Sequence, residues 1–277
     1  MNGIIIIDKE KGVTSRDVVN EVSKRLKTKK VGHTGTLDPI ATGVLVVCVN
    51  KATKLVSRIT DEYKEYVASC LFGISTDTIY IEGKVLKDIK SIISKEDIIN
   101  TLNSFKGKYR QQVPIYSAVK INGKKLYEYA RENIDIKLPS RNVNIYSLEL
   151  LEFNNDVIKF KTKVSKGTYI RSLIEDICTM LNVYGTMNTL QRTKQGKFDI
   201  KDSILLEDIN EDTDLLNAFD VLDISNYILD DNLYRLVSNG NKLKLELEDG
   251  YYNLSYKNNN IAIYKFEYNE GRLVMFY

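Results

Sequence analysis

The run from Val143 to Val164 constrains the fold most. Val143 to Leu151 and Val157 to Val164 are rich in β-branched and apolar residues, with Asn154-Asn155-Asp156 between them. The five residues between them, Glu152 to Asp156, are too few for a crossover, so the two runs are expected to pair as a hairpin around Asn154-Asn155-Asp156. In the second arm Ile158, Phe160 and Val164 alternate with Lys159, Lys161 and Lys163, which predicts one apolar face and one basic face. Gly3 to Asp8 reads as a short buried strand, and Tyr63 to Phe72 as a strand with Tyr66, Ala68, Cys70 and Phe72 on one side. Ser15 is placed to cap a helix carrying Val18, Val19, Val22 and Leu26. A Gly- and Thr-rich loop from Gly32 to Gly43 leads into an apolar strand, Val44 to Val49. Ser94 with Asp97 opens a helix whose apolar face is Ile98, Ile99, Leu102 and Phe105, and Leu173 to Leu181 reads as a short amphipathic helix. Strands and helices mix with few crossover-length helices. The predicted class is therefore α+β: a mixed, largely antiparallel sheet with flanking helices.

Charge divides the chain. Residues 202–277 hold 6 Lys+Arg and 15 Asp+Glu, a net of −9, and residues 1–201 carry the balance, +12. The pattern predicts a main domain over 1–206, an acidic linker over 207–222 and a small β domain over 223–277, the last punctuated by turns at Asn239-Gly240, Asn258 to Asn260 and Asn269 to Gly271. A basic main domain suits a polyanionic partner, and equally a solvated lysine-rich surface. Ile4 to Ile7 and Val44 to Val49, the longest apolar runs, fall far short of the ~20 residues a membrane span needs, and no export signal is read. Cys48, Cys70 and Cys178 match neither a disulfide framework nor a zinc pattern, so a cytoplasmic location is expected.

Gly32-His33-Thr34-Gly35-Thr36-Leu37-Asp38-Pro39-Ile40-Ala41-Thr42-Gly43 is the most unusual segment. It holds the only His of the chain and fits neither a phosphate loop nor the dinucleotide pattern. Pro39 biases Asp38 towards an extended backbone, so the carboxylate projects from a loop. On composition, a structural Asp capping a turn and a catalytic Asp both fit.

The segment closely resembles the catalytic motif of the pseudouridine synthases, specifically the bacterial family that makes pseudouridine 55 in the T arm of tRNA. Further blocks occur in that family's order. They are Asp8-Lys9 with Gly12-Val13-Thr14-Ser15, Tyr63-Lys64-Glu65-Tyr66, Gly73 with Thr76-Asp77-Thr78, and Tyr116-Ser117-Ala118-Val119-Lys120. Gly123 to Arg131, Ser165-Lys166-Gly167-Thr168-Tyr169-Ile170-Arg171, Leu190 with Arg192, and Gly196 with Phe198 follow. The resemblance covers about residues 1–200. It implies a cofactor-free, metal-free isomerase that breaks the N-glycosidic bond of a uridine, turns the uracil and rejoins it through carbon 5. Asp38 would be the nucleophile, Arg171 its orienting partner, and Tyr66 the residue stacked on the target base. Leu190 would pack on the uracil and His33 would lie near the extruded nucleotide. Lys64 and Lys166, with Lys120, Lys159, Lys161 and Lys163, would contact phosphates. The implied partner is tRNA, bound through its T arm by a monomer in the bacterial cytoplasm.

Three departures from the family pattern stand out. Tyr80 occupies a position where the family usually has Asp, and Glu82, two residues on, is the expected substitute beside Arg171. Glu10 replaces a Pro, and Val113-Pro114-Ile115-Tyr116 is a residue short of the usual double-Pro loop. If Tyr80 disables the site, the alternative is a tRNA-binding and folding module with weakened or lost catalysis. A non-RNA enzyme using a carboxylate pair is a third reading. The acidic charge after residue 202 predicts a C-terminal domain that makes few phosphate contacts.

Overall fold

The computed structural model describes residues 2–90, 92–222 and 224–277. The main sheet follows a path of seven strands: β1 (Gly3–Lys9), β2 (Thr42–Val49), β3 (Lys64–Phe72), β4 (Gly107–Gln112), β5 (Ser140–Asn154), β6 (Val157–Val164) and β7 (Gly185–Gln195). Their spatial order is β1-β2-β7-β3-β6-β5-β4. Along it, β2 with β7 is parallel, at Thr42 opposite Gln191 and Gly43 opposite Arg192, and every other neighbouring pair is antiparallel. The β5–β6 hairpin forms as its alternation predicts, with Asn155 in the left-handed region its turn requires.

The continuous apolar runs of β1 and β2 follow from burial on both faces. Ile4, Ile6, Val44, Val46 and Cys48 point to one side, where Ile263 and Met275 of the C-terminal sheet meet them. Ile5, Ile7, Leu45, Val47 and Val49 point to the other, against Val18 and Val22 of helix α1 (Ser15–Arg25) and Ile209. The opposite half of the sheet buries Cys70, Phe72, Ile158 and Phe160 against helices α2 (Lys95–Ser104) and α3 (Ile170–Met180). That half-sheet and the start of α3 line part of the site described below.

Local details differ from the sequence reading in instructive ways. Thr14, not Ser15, caps α1, in a reciprocal capping box with Asp17. Ser15 is buried and reaches elsewhere, to Leu37. Ile99 lies on the half-exposed side of α2, while Ile98, Leu102 and Phe105 are buried. Helix α3 starts at Ile170, three residues before the apolar pattern becomes clear, which brings Arg171 into its first turn.

After residue 222 a second sheet has the order β8-β10-β11-β12-β9, with β8 (Ser225–Ile228), β9 (Leu243–Lys244), β10 (Gly250–Tyr256), β11 (Asn259–Glu267) and β12 (Glu270–Phe276). Helix α4 (Asp231–Ser238), capped by Asp230, was not expected from the turn-rich sequence. Residues 207–222 do not run free. Leu216 pairs with Ile4 through two backbone hydrogen bonds (2.8 and 2.9 Å), and Arg25 donates to the carbonyls of Glu207 and Ile209. The C-terminal sheet covers apolar side chains of β1 and β2, so deleting it would uncover core as well as remove a surface.

The parallel β2–β7 contact depends on one glycine. Gly43 has φ +98°, and a Cβ there would sit 2.2 Å from the carbonyl oxygen of Arg192. Gly43→Ala is therefore expected to lower the unfolding free energy by roughly 3 kcal/mol or more, from backbone strain and steric overlap together. Urea titration checks this; a loss under about 1 kcal/mol would contradict it.

Candidate active site

The loop from Thr34 to Ala41 enters the parallel strand β2, and buried polar groups hold it on several sides. Arg192, on β7 and almost fully buried, donates from Nε to the Val44 carbonyl (2.7 Å) and from Nη2 to the Gly35 carbonyl (3.0 Å). Gln195, also on β7, donates from Nε2 to the Thr34 hydroxyl (2.8 Å) and to the carbonyls of Thr34 and Ile59. From β1 the Lys9 ammonium donates to the carbonyls of Glu10, Val13 and Pro39 at 2.8, 2.8 and 3.1 Å. At the start of α1, the Ser15 hydroxyl accepts from the Leu37 amide (2.9 Å) and donates to the Leu37 carbonyl (3.1 Å). Most of these contacts pair backbone groups of the loop and of the segments beside it. Burial pushes the Lys9 ammonium down to about 8, against the opposing pull of the Asp38 charge.

Asp38 projects from the middle of this loop. Its Oδ2 accepts from Arg171 Nη2 at 3.1 Å and from the hydroxyl of Tyr80. Arg171 is 4% exposed, and its Nη2 also donates to the Tyr116 carbonyl (2.8 Å), tying the 116–119 loop to the same point. Across the sheet the register does the rest. Tyr66 on β3 faces Arg192 on β7, and Ala68 faces Leu190. Side chains two residues apart in a strand share a face, so Tyr66, Leu190 and Arg192 point the same way. The Tyr66 hydroxyl lies against the Arg192 guanidinium, and burial lowers the pKa of that guanidinium despite the tyrosine's opposing effect. Together these residues line a cleft of about 800 Å³ beside Asp38.

Of the residues given a role in the sequence, Asp38, Tyr66, Arg171, His33, Leu190, Lys64 and Lys166 line this cleft, and Lys120, Lys159, Lys161 and Lys163 lie outside its lining. They differ in what they are free to do. Lys64 is buried, and its ammonium donates to the carbonyls of Thr60 (2.6 Å) and Glu62 (2.8 Å), so it braces the loop before β3. Lys166 sits at the rim, paired with Asp61 at 2.7 Å. His33 Nδ1 accepts from the Gly35 amide (3.3 Å), and burial, with the charges of Arg16 and Arg192, lowers its pKa and favours the neutral imidazole. The basic face of β6 is present but compensated. Lys159 pairs with Glu152, Lys161 with Glu65, and the Lys163 ammonium lies 3.7 Å from the centre of the Tyr63 ring.

Glu82 does not replace the missing aspartate. It is salt-bridged to Lys11 at 2.6 Å on the surface. Residues 77–83 form a turn, so the period-two argument that placed Glu82 beside Arg171 does not apply there. Tyr80 itself fills that place. The sequence reading missed this contact, and it gave no role to Lys9, Arg192 or Gln195. Lys9 and Arg192 stand inside recognisable motif blocks; Gln195 carries no local signal, being one more polar residue at a strand end.

The family profile described as TruB family pseudouridylate synthase, N terminal domain, matches residues 23–170. The tRNA pseudouridine synthase B of Clostridium tetani is 46% identical over 254 residues, covering 88% of this chain and 86% of its own. That of Lactobacillus acidophilus is 39% identical over 280 residues, covering 96% and 94%. Among solved structures, a chain of an H/ACA RNP bound to a substrate RNA containing 2'-deoxyuridine shares the fold. Its TM-score is 0.72 at 24% identity, over 95% of this chain and 77% of that one. This chain belongs to the TruB family of pseudouridylate synthases.

Burial, with the charge of Arg192 second, pushes the Lys64 ammonium down to about 8. Below that pH both the folded and unfolded chains carry the proton. Between about pH 8 and the unfolded lysine value of ~10.4 the unfolded chain binds more protons, so stability rises with pH through this window. Denaturant unfolding of wild type and Lys64→Met at pH 7.5 and 10 is expected to show the difference moving in favour of wild type; a pH-independent difference would contradict the assignment.

Proposed function

We propose that this chain converts a uridine in the T loop of tRNA, at position 55, to pseudouridine. The observation that carries the reading is the convergence on one cleft of a carboxylate held by an arginine, an aromatic ring and an apolar side chain. A stacked base must leave the RNA to be reached, at a cost of a few kcal/mol. Tyr66 and Leu190 offer it a replacement surface. Asp38 supplies an electron pair to the flipped nucleotide, at C1′ of the ribose or C6 of the ring, and covalent catalysis divides one hard step into two. Asp38 forms a bond to that carbon, the bond from N1 to C1′ breaks, the uracil turns while held, C5 bonds to C1′, the bond to Asp38 breaks to restore the carboxylate, and the C5 proton leaves while N1 takes up one from solvent. Substrate and product have the same atoms, so the chemistry is an isomerisation. Recognition rests on the shape and backbone of the T arm. In this reading residues 1–206 form the catalytic unit of a cytoplasmic monomer, and the acidic β unit over 223–277 takes little part in phosphate binding. Lys166 exchanges Asp61 for a phosphate at the rim; Lys64 acts by bracing the loop.

A folding module without chemistry would require Tyr80 to spoil the site. Tyr80 instead completes the contacts of Asp38, which favours an active enzyme. Unmodified tRNA transcript tritiated at uracil C5 tests the proposal, because product formation expels that hydrogen. Wild type is expected to release one label per tRNA, with carbodiimide mapping placing the product at position 55. Asp38→Ala should lower the rate by at least about a thousandfold. Equal release by the variant would overturn the nucleophile assignment. Binding without release by wild type would favour the folding module.

A further inference from the structure

We infer that Tyr80 is a positioning residue for the reaction: with Arg171 it fixes one oxygen of Asp38 and leaves the other free to react. This rests on Asp38 being the nucleophile. Both donors, the Tyr80 hydroxyl and Arg171 Nη2, converge on the same atom, Oδ2. Two donors on one oxygen of a carboxylate stop its rotation and leave Oδ1 as the attacking atom. Attack geometry matters at this scale, since a displacement of about 1 Å can cost about a hundredfold in rate.

The backbone shows that Tyr80 is held in place. Ile79, directly before it, has φ +64°, a conformation that a β-branched residue adopts only under constraint. The constraint is visible. Met187 on β7 donates its amide to the Ile79 carbonyl (2.8 Å) and accepts from the Ile81 amide (2.9 Å). The Thr76 hydroxyl and the Gly83 amide both donate to the Tyr80 carbonyl, at 2.7 and 2.8 Å. The ring is 8% exposed, with the Arg171 guanidinium 5.2 Å from its centre. A tyrosine here does what a second carboxylate cannot, since it donates a hydrogen bond to Asp38 without adding charge. Burial and the Asp38 charge raise the pKa of Tyr80, so the hydroxyl stays protonated across the working pH range.

Tyr80→Phe removes the hydroxyl and keeps the ring. Single-turnover tritium release, with enzyme in excess over labelled tRNA, is expected to slow about 10- to 100-fold. The tRNA dissociation constant from filter binding and the melting temperature should stay near the wild-type values. A residue that only supports the fold would lower affinity or melting temperature together with rate. An unchanged rate in Tyr80→Phe, with Asp38→Ala inactive, overturns the positioning role and leaves the nucleophile reading intact. A rate loss matched by an equal loss of affinity also overturns it. Wild-type protein that binds tRNA and releases no label overturns both.

Discussion

The buried guanidinium of Arg192 ties the architecture to the site. It sits where the sheet has its parallel step, between β2 and β7, and donates across that step to the carbonyls of Val44 and Gly35. The Gly35 carbonyl belongs to the loop that carries Asp38, and the Tyr66 hydroxyl lies against the same guanidinium. One side chain thus sets the entry of the loop, the seam of the sheet and the place of the tyrosine opposite. Hydrogen bonds to a charged group are worth about 1.5–3 kcal/mol each, so the backbone it organises offsets part of the cost of burying this cation. The left-handed Gly43, with no room for a Cβ beside Arg192, is the matching constraint on the other strand.

Rigidity follows from where polar groups are buried. Lys9, Ser15, Arg192 and Gln195 are all buried, and each spends its donors on the Asp38 loop or its immediate neighbours. Removing one partner would leave carbonyls or an amide without a bond in a dry environment. The Asp38 carboxylate and its loop are therefore held by groups from β1, α1, α3 and β7 together, and local unfolding of the loop would break contacts to all of them. The C-terminal sheet contributes from a distance, by covering the outer face of β1 and β2 with Ile263 and Met275.

Much of this was legible in the sequence where period and register govern. The β5–β6 hairpin, the two-sided burial of Ile4 to Ile7 and the shared face of Tyr66 and Ala68 all follow from local pattern. The seven cleft residues were reached through motif blocks, since nothing in periodicity brings Asp38 to Arg171. What stayed hidden depends on tertiary context. Ser15 looked like a cap until the preceding threonine took that place and freed its hydroxyl for Leu37. Lys159 and Lys161 read as a basic face because their carboxylate partners, Glu152 and Glu65, come from neighbouring strands. Glu82 was misplaced because the turn at Ile79 breaks the strand on which the inference depended. Helix α4 is hidden because the sequence around it reads as short strands broken by the turn at Asn239-Gly240.

A crystal structure of the protein with a T-arm hairpin carrying 5-fluorouridine at the target position tests the central claim most directly. The account predicts the flipped base between Tyr66 and Leu190, Asp38 Oδ1 closest to C1′ or C6, and Oδ2 still held by Arg171 and Tyr80. A nucleotide bound outside this cleft, or a carboxylate turned so that Oδ2 meets the nucleotide, would contradict it.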